Sequence, residues 1–300
     1  MQDSGDELTE PVESFDAFRQ AVVTWGVPRL RDLPWRRTRD PWAVLVSEVM
    51  LQQTQAARVI PKWEAFLAEF PDPAACAAAP LGAVLRAWQG LGYPRRAKHL
   101  HATAVAIVTE RDGRWPDEID ALMALPGIGP YTARAVRAFA HELPAAVVDT
   151  NVARILARVT GARLTASRAQ QLADRWADDD EPWTWNQVLL DLGASVCRPR
   201  PNCPACPIRS WCEWHRSGCQ EPDPAVGSAG VSVRQARFAG SDRQARGEVL
   251  ARLGRGAIGA DEVAALIETT AERAARIVDT LVADGLVERA GDGRVRLPGG

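Results

Sequence analysis

Apolar positions recur at helical spacing through most of residues 15–195, and Gly and Pro interrupt the pattern at Phe70–Pro73, Gly90–Pro94 and Leu125–Pro130. This predicts a run of helices joined by short turns; strand-rich stretches are scarce. One strongly apolar helix is expected over Trp42–Ile60, with Glu48 inside it, and another over Asp117–Ala124. A third is expected to start at Pro130, where Pro suits a first helical position. Residues 220–240 carry Pro, Gly and Ser with few apolar anchors and read as a linker. Beyond it, Arg243–Leu253, Ala260–Ile267 and Thr270–Gly285 show helical periodicity, and Val287–Leu297 reads as a hairpin turning at Ala290–Gly293. Three helices and a hairpin outline a winged helix, which serves either as a DNA-binding or as a packing module. The expected fold is mainly α, with a disordered acidic tail at 1–14, a helical region at 15–219, a linker at 220–240 and a small α+β, winged-helix-like unit at 241–300.

Composition narrows the setting. At 300 residues and 46% hydrophobic, the chain can bury a substantial core. No apolar run reaches membrane-spanning length and the acidic N-terminus has no signal-peptide core, so a cytoplasmic location and no membrane partner are expected. The formal net charge of −2 argues weakly against a nucleic-acid partner, but its distribution matters more. Asp3, Asp6, Glu7, Glu10, Glu13 and Asp16 sit together with no Lys or Arg among them, which leaves a positive balance on the rest. Arginines then cluster at 29–39, at 95–96 and at 198–209.

Cys197, Cys203, Cys206 and Cys212 form C-x5-C-x2-C-x5-C. Four thiolates in so short a loop can enclose one metal centre. The spacing differs from a zinc ribbon, with its two distant C-x2-C pairs, and suits a [4Fe–4S] cluster better. A zinc site, buried free thiols and two disulfides are the alternatives, and a reducing compartment disfavours the disulfides. Cys76 reads as a packed helix residue; Cys219 receives no assignment.

Three further features carry chemistry. Leu125-Pro126-Gly127-Ile128-Gly129 precedes the Pro130 helix. Gly127 and Gly129 tolerate positive φ and close approach, and free N–H groups at a helix start can hold a phosphate, so this resembles a helix-hairpin-helix that grips a DNA backbone. Glu48 shares a helix face with Val44, Leu45 and Leu51, where desolvation should raise its pKa toward that of a general acid; a solvent-facing or Arg-paired Glu is the plainer alternative. Asp149 precedes Thr150-Asn151-Val152 at a helix start, where the helix dipole and free N–H groups should keep it ionised, or where it simply caps the helix. One protonated and one charged carboxylate is the pairing that glycosidic cleavage uses.

Together these segments resemble the helix-hairpin-helix DNA glycosylases that carry an iron–sulfur cluster, and within them the adenine DNA glycosylases. The resemblance runs from about residue 29 to residue 212. It rests on Arg31–Arg36, Ser47–Thr54, Gly90–Tyr93, Leu125–Thr132, Asp149–Val152, Asn186, Gln187, Asp191–Ala194 and the four cysteines. It implies that Glu48 protonates adenine at N7, that Asp149 stabilises the cationic sugar, and that Tyr131 stands where strand-nicking relatives carry lysine. It further implies that Gln53 and Tyr93 wedge into the duplex as adenine swings out, and that Arg31, Leu33, Trp35, Arg36 and Gln187 line the base pocket and nearby DNA. Trp35 could equally be a core aromatic, and for Tyr93 a core role is the lesser alternative. Leu125, Gly127 and Gly129 would hold the DNA backbone, with Arg198, Arg200 and Arg209 close to phosphates.

The expected activity is removal of adenine paired with 8-oxoguanine or guanine in double-stranded DNA, by a monomeric, nucleoid-associated, monofunctional enzyme. A G·T thymine glycosylase and a non-enzymatic iron–sulfur DNA-binding regulator are the alternatives. The expected active site lies in a cleft between a helical-barrel domain and one built from the N-terminal helices and cluster loop. Three departures from the family pattern stand out. Five residues rather than six separate the first two cysteines. Pro94 replaces a second tyrosine. The stretch after the linker is too short for the 8-oxoguanine-sensing β-rich domain of many members.

Overall fold

The computed structural model describes residues 15–231 and 237–299. Its helices are α1 (Phe15–Gly26), α2 (Pro41–Leu51), α3 (Ala56–Glu69), α4 (Pro73–Ala78), α5 (Leu81–Ala87), α6 (Arg95–Arg111), α7 (Ile119–Met123), α8 (Pro130–Phe139), α9 (Thr150–Thr160), α10 (Ala166–Trp176), α11 (Pro182–Ser195), α12 (Glu213–Arg216), α13 (Asp242–Leu253), α14 (Ala260–Leu266) and α15 (Ala271–Ala283). Its strands are β1 (Glu288–Arg289) and β2 (Val295–Arg296). The mainly α fold with a small C-terminal sheet is as expected. The acidic tail expected over 1–14 lies outside the described residues, as do 232–236 of the expected linker. The chain forms two compact units: Met1–Asp32 with Arg134–Val233, and Leu33–Ala133 with Arg234–Gly300.

In the first unit, α1, α9, α10 and α11 bury one shared core containing Phe18, Val22, Ile155, Leu156, Leu172, Trp176, Trp185, Val188 and Leu192. Phe18 packs on Trp176 with ring centroids 5.1 Å apart. The helices approach so closely that a Cβ on Gly26 would lie 2.0 Å from Val188 Cγ1. Helix α9 presents Val152, Ile155, Leu156 and Val159 to this core at three- and four-residue spacing. Part of the segment expected as linker is ordered here: Asp223, Ala225 and Ser228 are buried, and the Ser228 hydroxyl accepts the Leu164 N–H at 3.0 Å.

In the second unit, α2 is apolar on nearly every side and buried from Trp42 to Met50. The Asp40 carboxylate caps it, accepting the N–H groups of Trp42 (3.1 Å) and Ala43 (3.3 Å). The single helix expected over Trp42–Ile60 is in fact two. Gln53 takes φ +57°, the left-handed region, so α2 stops at Leu51 and α3 starts afresh at Ala56. The helix expected over Asp117–Ala124 shrinks to α7.

The C-terminal elements match their expected pattern closely. Ser241 and Thr270 cap α13 and α15, and β1 pairs antiparallel with β2 through Glu288↔Arg296 and Arg289↔Val295. Val249, Ile258, Val263, Ile277, Leu281 and Val295 fill their core. These elements meet residues 33–133 of the same unit through polar contacts. Gly82 N–H donates to Pro298 O at 3.0 Å, Lys98 Nζ donates to Asp284 O at 2.6 Å, and Arg95 and Arg246 both pair with the Asp284 carboxylate.

Candidate functional site

Glu48 lies on α2 and is 6% exposed. The next turn of chain carries Gln53, which is exposed, and the loop after α5 carries Tyr93, which is half-buried with φ +48°. Both residues expected to enter the duplex therefore sit on left-handed backbone, a conformation that non-glycine residues adopt only where their surroundings enforce it.

Arg96, seen in the sequence only as part of a basic cluster, ties both positions down. Its guanidinium donates to Val49 O (2.7 Å), Met50 O (3.1 Å) and Gln52 O (2.7 Å) at the end of α2, and to Leu91 O and Gly92 O (both 3.0 Å) in the Tyr93 loop. It thus satisfies carbonyls that the helix end leaves open and ties the two loops together. The ring faces of Trp88 and Tyr93 lie 5.4 and 5.6 Å from it. Burial lowers its pKa to about 10, which leaves it cationic at neutral pH.

Leu125 and Ile128 anchor the following turn in the core. Gly127 has φ +75°, and a Cβ there would lie 2.4 Å from His99 Cβ. Gly129 differs from expectation: its φ is not positive, and nothing stands within 4 Å of a Cβ placed on it. Its smallness leaves open space at the start of α8, next to Pro130 and the half-buried Tyr131. Trp35 and Arg36 are buried in this unit, Trp35 edge-on to Trp63 at 6.1 Å, and Leu33 is half-buried.

Asp149 belongs to the first unit and caps α9. Its carboxylate accepts the N–H groups of Asn151 and Val152 (both 2.8 Å) and the Asn151 amide Nδ2 (2.7 Å). Burial nevertheless raises its pKa above the ordinary value, outweighing these hydrogen bonds and the charge of Arg154. The helix-start N–H groups lower its pKa as expected, but desolvation is the larger effect and the net direction is upward.

From Asp149 a continuous polar chain runs along α9. Asn151 Oδ1 accepts from Arg154 Nη2 (2.8 Å), Arg154 Nε donates to Cys197 O (2.6 Å), and Arg158 Nη1 donates to Cys197 Sγ (3.4 Å). Arg158, 2% exposed, also donates to Arg198 O (2.7 Å) and Pro199 O (3.1 Å) and pairs with Asp223 at 2.5 Å. Residues 151, 154 and 158 are spaced to share one helix face, a signal present in the sequence. The partner Asp223, by contrast, lies 65 positions away from Arg158. Gln187 is buried on α11, while exposed Arg31 is held by Asp191, its Nε 2.6 Å from Oδ1.

None of the six cysteines forms a disulfide. Cys197, Cys203, Cys206 and Cys212 line one small recess, partly open to solvent, together with Arg158, Trp214 and His215. Burial, and then neighbouring thiolates, push Cys206 up to about 11 and Cys212 up to about 12. Thiolates are poorly tolerated in such a recess unless a cationic centre offsets their charge, which suits a metal-binding loop. Cys203, His215 and Cys219 bring ligand atoms within 4.8 Å of one another, an arrangement able to hold a metal ion. Cys219 and His215 thereby join the loop, which spacing alone did not indicate. Cys76 is fully buried, and desolvation pushes it up to about 12.

Residues 46–178 match the HhH-GPD superfamily of base excision DNA repair proteins. The adenine DNA glycosylase of Mycolicibacterium smegmatis is 42% identical over 286 residues, covering 93% of this chain and 95% of the relative. The chain belongs to the adenine DNA glycosylases. The adenine DNA glycosylase of Mycobacterium tuberculosis is 41% identical over 290 residues, covering 93% of this chain and 92% of the relative. These relatives match through the C-terminal elements as well as the helical region. Among solved structures, a thermostable thymine-DNA glycosylase superposes with a TM-score of 0.63 at 28% identity, covering 68% of this chain and 97% of its own. Among the described residues, no helix is long and apolar enough to cross a membrane.

Proposed function

We propose that this glycosylase removes adenine opposite 8-oxoguanine or guanine in double-stranded DNA and leaves an abasic site. The observation that carries the reading is the buried carboxyl of Glu48 on an apolar helix, within the segment that resembles the adenine-type motif. Glu48 donates its proton to N7 of the extruded adenine, the C1′–N9 bond breaks, and the electron pair leaves with the base. Asp149 stabilises the oxocarbenium ion. A carboxylate whose charge burial disfavours gains most when a cation forms beside it, so its contribution grows toward the transition state. Water then adds to C1′ and loses its proton. Tyr131 has no amine to form a Schiff base, which supports a monofunctional enzyme.

In the same reading Gln53 and Tyr93 enter the duplex. Arg31, Leu33, Trp35, Arg36 and Gln187 shape the base pocket and adjacent DNA contacts, and the Leu125–Gly129 turn holds a phosphate through backbone N–H groups. Cys197, Cys203, Cys206 and Cys212 hold a [4Fe–4S] cluster, whose chemistry here is to fix the loop that carries Arg198, Arg200 and Arg209. The 241–300 segment is a winged-helix-like unit joined to the catalytic region, and the enzyme acts as a monomer on the cytoplasmic nucleoid.

Single-turnover cleavage of duplexes differing only in the base opposite adenine tests this. Adenine release opposite 8-oxoguanine is expected, with a loss of about 10²–10⁴-fold in Glu48→Gln. The likeness to a thymine-DNA glycosylase makes a G·T duplex the essential control. Faster release of thymine than of adenine would reverse the assignment.

A further inference from the structure

The C-terminal elements reach Tyr93 directly. Arg243, at the start of α13, donates from Nη1 to the Tyr93 hydroxyl at 2.8 Å. The same guanidinium lies 5.7 Å from the Tyr93 ring centroid and 5.2 Å from that of Phe238, which is 54% exposed. Tyr93 is thus gripped between two arginines, Arg96 from its own loop and Arg243 from 150 positions away.

The surrounding contacts make this grip rigid. Arg95, two residues after Tyr93, pairs with Asp284, which also binds Arg246 on α13. Lys98 donates to Asp284 O, and Gln89, on the other side of the loop, donates to Leu250 O at 3.4 Å. The C-terminal elements therefore bracket the Gly90–Tyr93 loop on both sides. A hydroxyl and an aromatic face held by one guanidinium fix the ring's position and rotation, which neither contact does alone.

We propose that Arg243 is a positioning residue for the Tyr93 wedge, and that the C-terminal elements act in duplex opening by setting that wedge rather than by reading DNA independently. The inference rests on the reading of Tyr93 as a residue that enters the duplex. Arg243 spares the enzyme the cost of ordering the tyrosine at the moment of insertion, so its loss slows opening while leaving proton donation by Glu48 intact.

The test uses the full-length enzyme and a duplex carrying 2-aminopurine beside the target adenine, with opening followed by stopped-flow fluorescence and cleavage by single-turnover assay. Arg243→Ala and Tyr93→Phe are each expected to slow opening about tenfold, the scale of one charge-assisted hydrogen bond. The double variant should open no more slowly than the slower single one, because the hydroxyl contact that Tyr93→Phe removes is already among those lost in Arg243→Ala. Arg243→Lys keeps the charge but cannot hold ring and hydroxyl together, so it should remain slow; it also guards against a folding defect in the alanine variant. Opening at the wild-type rate in Arg243→Ala overturns the proposal. Losses that multiply in the double variant, or full rescue by lysine, overturn it as well, since they identify a plain phosphate contact. A wild-type enzyme that opens the duplex but releases no adenine sinks the proposed function and leaves this inference standing.

Discussion

The polar networks around α9 and at the C-terminal sheet are built in opposite ways. Around α9, arginines are buried and each charge has several partners. Arg158 is 2% exposed yet meets a carboxylate, a thiol and two carbonyls. At the C-terminal sheet the ion pairs lie largely in solvent: Arg289 and Asp279 are 49% and 65% exposed, and Arg296 and Glu288 45% and 38%. Buried networks are costly to interrupt because a broken one strands a charge away from water. Exposed pairs can be lost with little consequence. The cysteine loop and the cap of α9 therefore share one connected polar frame, while the C-terminal sheet is held by its apolar core.

The sharpest way to break that contrast is Arg158→Met. It strands the Asp223 carboxylate and removes the donor to Cys197 Sγ, so a loss of about 3–5 kcal/mol in unfolding free energy is expected, with lower iron content in the purified protein. A stability loss under about 1 kcal/mol would mean the network is not cooperative.

Asp149→Asn should act with the opposite sign. Its folded-state pKa is raised, so at neutral pH the ionised carboxylate opposes folding, whereas Asn still caps the helix. The variant should melt a few degrees higher than wild type near pH 7. That advantage should shrink as pH falls through the raised pKa, where wild type protonates and sheds the penalty. Melting curves over acid to neutral pH check this, and catalysis should be lost in the same variant. A variant less stable than wild type at neutral pH would return the helix start to the dominant position.

The smallest effect is expected for Asp279→Asn, which removes an exposed partner of Arg289. A change below about 0.5 kcal/mol in chemical denaturation would place it with ordinary surface pairs. A larger loss would show that the C-terminal elements depend on their ion pairs after all.

Local features were legible in the sequence because their causes are local. Periodicity gave the C-terminal helices and hairpin nearly to the residue, and the four cysteines lie within one short loop. The break between α2 and α3 was missed because Gln52-Gln53-Thr54 contains neither Gly nor Pro; its left-handed turn is imposed by Arg96, more than forty positions away. Gly127 and Gly129 read alike in sequence, and only the fold distinguishes them, through the positive φ of Gly127 and its neighbour His99.

By itself the chain determined its helical pattern, its cysteine loop and the residue types that resemble a glycosylase, since spacing along a helix or loop is set by covalent geometry. The tertiary structure decided which groups lose water. Burial of Glu48, the raised pKa of Asp149, the Arg158–Asp223 pair and the grip of Arg243 on Tyr93 all depend on segments far apart in sequence. Desolvation is a property of the whole packed neighbourhood, so the apolar neighbours of Glu48 along α2 could suggest it but only the fold could fix it.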